Sequence, residues 1–249
     1  STYVSQRNDA ISQVLGVNHY LRTQVSGSKL TVTAIDINGS TIDTLDIAPT
    51  PFLAQAAIEP ASSSQRIASG GLVSLYGSNL CLTSTQPTPS TLDANGTTVF
   101  AGDTPIPVLY ADANQINLHL PFNLSGKTRL TVRTANGTVS SDLDVAPVAP
   151  SIFLDASGAA IAERADGSVI SDHSPLRPGE TVSLLMTGLG SVAGPAVAGR
   201  APAAPLPVSA TVNVSVSGQP ATLISATLDS GYPGLYRVVF QVPASIQSS

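Results

Sequence analysis

Side chains able to do chemistry are few and scattered in this chain. Of the three histidines, His19 begins a run of alternating apolar residues, His119 sits inside "INLHLP" (116–121) and His173 falls in a loop. None has a second histidine or a carboxylate at ligand spacing, whereas metal-assisted hydrolysis needs several such groups converging from strand ends. Each therefore reads as structural or surface. The one cysteine, Cys81, has no local histidine to activate it, so it reads as a small buried hydrophobe, and no internal disulfide can form. Asp155, Asp166 and Asp172 in "LDASGAAIAERADGSVISD" could offer oxygens to calcium, but their spacing fits no calcium loop and Asp-x-x-Gly and Asp-Gly mark turns. The GxSxG elbow, P-loop, GxGxxG, HExxH and EF-hand patterns are missing, and "TGLGS" (187–191) reads as a turn. No catalytic residue, metal or cofactor is expected. Sugar binding by a β-sandwich usually relies on aromatic platforms; there is no Trp, Tyr76 and Tyr236 lie in apolar strands, and Tyr110 and Tyr232 are the candidates for exposure.

The elements that must position these residues are strands. Charged residues make up 11% of the chain and hydrophobic ones 42%, so hydroxyls and small residues must cover the surface, as in secreted β-proteins. A net charge of −5 argues against a nucleic-acid partner, and no apolar run is long enough to span a membrane as a helix. Residues 1–50 read as a separate unit: a short helix in "SQRNDAISQVLG", then three alternating runs between 19 and 47 broken by "SGS" and "NGS", hence an antiparallel meander. Residues 51–68 carry prolines and a serine triplet and read as a linker. Beyond them the chain repeats. "GGLVSLYGSNL" (70–80) parallels "GETVSLLMTGLG" (179–190), and 96–121 parallels 213–243 in its order of strand, turn, Pro-containing strand and apolar strand. The expected fold is all-β: two tandem immunoglobulin-like sandwiches, over 69–149 and 150–249, behind a strand-rich N-terminal extension.

Residues 66–243 resemble the immunoglobulin-like C-terminal repeat family of unknown function from secreted bacterial proteins, related in style to IPT/TIG domains. The resemblance is carried by "IASGGLVSLYGSNL", "TPIPVLYADANQINLHLP", "VAPVAPSIF", "SPLRPGETVSLLMTGLG" and "GYPGLYRVVFQVP". It implies the fold and an extracellular or cell-surface location, but no activity. Residues 17–47 resemble the C-terminal strands of secreted purple acid phosphatase-like metallophosphoesterases, through "HYLR" followed by an "AID..G..ID" pair.

The two repeats end differently. After Pro121 come 25 residues containing a hairpin turned at Asn136-Gly137; after Pro243 come six. The family normally continues with such a hairpin. A sandwich without it leaves unpaired backbone groups along a sheet edge. Continuation of the natural chain, a segment of the same chain, or a strand from a neighbouring molecule could each fill the gap. The last of these gives the functional expectation: a non-enzymatic extracellular subunit that polymerises with itself, head to tail, by β-strand donation. The expected donor is the meander, through Tyr20, Leu21, Val25, Leu30, Val32, Ile35, Ile42, Leu45 and Ile47. The expected acceptor edge comprises Leu235, Tyr236, Val238, Phe240 and Val242. The alternatives are an accessory region of a secreted metallophosphoesterase, or an adhesive module with a glycan or cell surface as partner.

Overall fold

The computed structural model describes residues 16–27 and 29–245, and it is all-β. The short helix expected over 5–15 lies outside those residues. The chain divides into two compact units, Ser1–Thr50 and Pro51–Ser249.

In the first unit, β1 (His19–Ser26), β2 (Lys29–Asp36) and β3 (Thr41–Ile47) form an antiparallel meander in that order. The β2–β3 turn is built by Asp36, whose carboxylate accepts the Asn38 and Ser40 amides while Gly39 adopts φ +86°. Cross-strand partners share a face. The pairs Leu21–Ala34, Val25–Leu30, Val32–Leu45 and Leu30–Ile47 therefore build one apolar face. Tyr20 pairs with Ile35 on the opposite face, and Ile42 sits at a bulge. The expected donor residues are thus split between two faces. The alternation that groups them is local, whereas the bulge that shifts β3 is not written in its pattern.

In the second unit, residues 51–68 supply β4 (Phe52–Leu53) and β5 (Ile67–Ala68), and Ile58 bridges to Ser74. Despite its prolines and serines, this segment is packed into the first sandwich: Ala57 is buried, and the Glu59 carboxylate, also buried, caps the Ala61 and Ser62 amides. Then follow β6 (Leu72–Ser78), β7 (Thr98–Ala101), β8 (Thr104–Ile106), β9 (Val108–Ala111), β10 (Gln115–His119), β11 (Gly126–Thr134) and β12 (Gly137–Ala146). They make two facing sheets, β4-β6-β10-β9 and β5-β12-β11-β7-β8. Alternate residues of both sheets, including Val73, Leu75, Ile116, Leu118, Leu130, Val132, Leu143 and Val145, fill the space between.

The second sandwich comprises β13 (Ser151–Ile152), β14 (Ala162–Arg164), β15 (Thr181–Thr187), β16 (Leu206–Pro207), β17 (Val214–Val216), β18 (Gln219–Leu228) and β19 (Tyr236–Gln241). Its order, β13-β15-β19-β18-β16, repeats the first sheet of the preceding sandwich, with β15 and β19 in the places of β6 and β10. Nothing among the described residues takes the place of β11 and β12. The difference shows in the cores: among the described residues, nineteen buried hydrophobic residues cluster in the first sandwich and eight in the second.

Tyr236 is the largest of those eight, and its hydroxyl donates to the Gly190 carbonyl at 2.6 Å. Burial raises its pKa and keeps it a neutral donor. Removing the hydroxyl in Tyr236→Phe leaves that carbonyl without its partner. A loss of about 1–2 kcal/mol in unfolding free energy is expected by urea titration, and an unchanged midpoint would show that the bond contributes nothing.

Candidate functional site

The second sandwich carries a groove beside an open strand edge. Val182, Leu184 and Met186 of β15 pair with Phe240, Val238 and Tyr236 of β19, so all six point to one side of the sheet. Segment 192–214 covers part of this face through Val192, Leu206, Val208 and Val212. Beside it runs a groove of about 510 Å³ floored by Leu184, Met186 and Val238, with Ile152 on one wall and Val212 and Val214 on the other. No charged side chain lines it.

One wall of the groove is also an open strand edge. In the first sandwich, β7 pairs with β8 on one side and β11 on the other. Its counterpart β17 pairs with the first residues of β18, Val214–Ala221 to Val216–Gln219, and on its other side with no strand among the described residues. The main-chain groups on that side therefore lack a ladder partner, next to an apolar floor.

This corrects the expected acceptor. Leu235, Tyr236, Val238, Phe240 and Val242 lie in or beside β19, which is central: β15 flanks it on one side and β18 on the other. Val238 alone of these reaches the groove. The alternating pattern of 235–242 reports which face is buried, but pairing happens in the plane of the sheet and leaves no mark on that pattern. The signal that could have found β17 is the repeat itself: 213–216 aligns with the strand that β11 covers in the first copy.

The meander residues are placed as follows. Leu21, Val25, Leu45 and Ile47 are exposed, and Leu30 and Val32 half-buried, on one face of the free-standing sheet. Tyr20 is exposed on the other face, while Ile35 is buried.

Most residues considered for chemistry have structural settings, while Asp172 and His173 are exposed. His119 is fully buried; its Nε2–H donates to the Gly70 carbonyl at 3.1 Å and its Nδ1 accepts the Gly199 amide at 2.8 Å. Burial pulls its pKa down to about 4. The His19 Nδ1–H donates to the Val17 carbonyl at 3.0 Å. Cys81 is buried, with its thiol against the Thr83 and Ala94 carbonyls. Asp155 accepts from the Ser157 amide and hydroxyl and from the Ala159 amide, and Asp166 from the Ser168 amide; these bonds hold both carboxyls below the usual range. Both are turn caps. No group of three or more His, Cys, Asp or Glu side chains converges among the described residues. Of the tyrosines, Tyr236 is buried, Tyr76 and Tyr110 are half-buried, with the Tyr110 hydroxyl donating to Asp112, and Tyr232 is exposed.

Residues 56–146 match the IPT/TIG domain family, so the first sandwich is an immunoglobulin-like domain of that type. No curated protein matches the chain. Among solved structures, it is similar to a Bacteroides ovatus protein, SGBP-B of the mixed-linkage glucan utilization locus, solved with a mixed-linkage heptasaccharide. That likeness has 15% identity and a TM-score of 0.37 over 88% of this chain. The chain spans 44% of that protein's length. No helix among the described residues is long and apolar enough to cross a membrane.

Proposed function

We propose that this protein is a non-catalytic, extracellular β-sandwich module that assembles head to tail with copies of itself by β-strand addition. The observation that carries the reading is the uncharged groove of the second sandwich beside the open edge of β17. A strand laid along that edge would complete a sheet and cover the exposed Ile152 and the half-buried Leu184, Val212 and Val214. Fully burying one such side chain contributes about 1.5–3 kcal/mol, and each ladder hydrogen bond about 1 kcal/mol. The donor is the meander of a second copy. Among the described residues its edge strands each have a free side, and its exposed apolar face matches the uncharged groove in character. Donor and acceptor are different surfaces, so each added copy leaves one of each open and growth passes beyond a closed dimer. A catalytic role finds no support in His119, since both ring nitrogens are committed to backbone partners.

Light scattering over a concentration series tests this. The purified chain is expected to gain mass with concentration past a dimer, at micromolar levels. Val25→Asp and Leu45→Asp, at exposed donor positions, and Val214→Asp at the groove wall should each hold it monomeric with unchanged circular dichroism. A wild-type chain that stays monomeric, or variants that assemble as well as wild type, would sink the proposal.

A further inference from the structure

We propose that the cleft between the two sandwiches binds a neutral glycan chain. This cleft is separate from the β17 groove and encloses about 650 Å³, within the size range of small-molecule sites. One wall is the Gln86–Ser90 loop of the first sandwich; the other carries Arg200, Tyr232 and Pro233 of the second, with Leu109 and Gly199 between them.

Three ties hold the walls at a set distance. Ser90 Oγ donates to the Gly199 carbonyl at 2.6 Å, the Gly199 amide donates to His119 Nδ1 at 2.8 Å, and the Leu72 amide donates to Thr187 Oγ1 at 3.3 Å. A cleft so fixed does not have to be ordered when a ligand enters, which removes part of the cost of binding.

The lining fits a sugar ring. Tyr232 is 42% exposed, the most exposed tyrosine of the second unit, and offers a flat aromatic face to the C–H side of a pyranose. Pro87, Pro89 and Pro233 add apolar wall without side-chain freedom to lose. Gln86 and Arg200 are exposed at the cleft and, among the described residues, make no side-chain hydrogen bond or salt bridge, so their donors are free for hydroxyls. No carboxylate lines the cleft, and Arg200 is its single cation in a chain of net charge −5. A polyanion would meet one favourable charge and a repulsive molecule, which selects a neutral chain.

Native affinity electrophoresis in gels containing β-glucan, xylan, mannan or polygalacturonate tests the proposal, with a gel lacking polysaccharide as control. At least one neutral polymer is expected to retard the wild-type protein. Tyr232→Ala should weaken that retardation at least tenfold, and Arg200→Ala and Gln86→Ala severalfold, with unchanged melting temperatures. Should Tyr232→Ala fail to fold, the other two variants carry the test, since both positions are exposed. Absence of retardation by every neutral polymer, retardation by polygalacturonate alone, or retardation undiminished in the folded variants would overturn it. Assembly, read by light scattering, is expected to be unaltered in all three.

Discussion

Replacing His119 by alanine is expected to lower the unfolding free energy by about 3–4 kcal/mol at pH 7, the largest effect of any single polar substitution in this protein. The ring fills buried space against Phe122, edge to face at 5.5 Å between centroids. Its two nitrogens satisfy the Gly70 carbonyl and the Gly199 amide, which belong to different sandwiches. Alanine leaves a cavity and two unmatched backbone groups at the junction. The same geometry requires neutral imidazole, because a second N–H at Nδ1 would face the Gly199 N–H. Burial accordingly pulls the pKa from 6.5 to about 4. Between those values the unfolded chain binds a proton that the folded chain refuses, so this contribution is full above pH 6.5 and declines as pH falls toward 4. Below that it changes no further. The shift corresponds to about 3 kcal/mol. Urea titrations at pH 7 and pH 4 should show wild type losing about that much more than His119→Gln, which cannot titrate. Equal losses in the two proteins would show that His119 is not held neutral by the fold.

Gly188→Ala is expected to cost about 3 kcal/mol or more and to disturb the groove as well as the core. Gly188 ends β15 with φ +79°, a conformation that strains any residue with a side chain. A Cβ there would lie well inside van der Waals distance of the Ala149 carbonyl oxygen, and backbone cannot swing aside as a side-chain end can. The neighbouring peptide is also bonded, since the Ala149 amide donates to the Gly188 carbonyl at 2.8 Å. Segment 147–150 therefore has to move. Val148 and Pro150 line the groove, so assembly should weaken together with stability. Thermal melting and light scattering on the same sample check this; a variant that melts like wild type would show that the close approach can relax.

Much of the fold was legible because it is local. The meander follows from alternation broken at Asn38-Gly39, and the β11–β12 hairpin from the same logic at Asn136-Gly137. The repeated order of strand, turn, Pro-containing strand and apolar strand in 96–121 and 213–243 is legible in the same way.

What the tertiary structure decided concerns neighbours distant in sequence. The pattern Tyr236, Val238, Phe240 says that one face of a strand is buried, because side chains leave a strand perpendicular to the sheet. How many strands flank it depends on hydrogen bonds in the sheet plane, which side-chain pattern does not encode; β19 is central and the open edge belongs to β17. Residues 51–68 look like a connector by composition, yet β6 offers them an edge and a floor. His119 in "INLHLP" reads only as structural or surface in the sequence; its partner Gly199 lies eighty positions away. The cleft between the sandwiches exists for the same reason: its walls come from loops more than a hundred residues apart, and only packing of one sandwich on the other brings Gln86 and Tyr232 to face the same space.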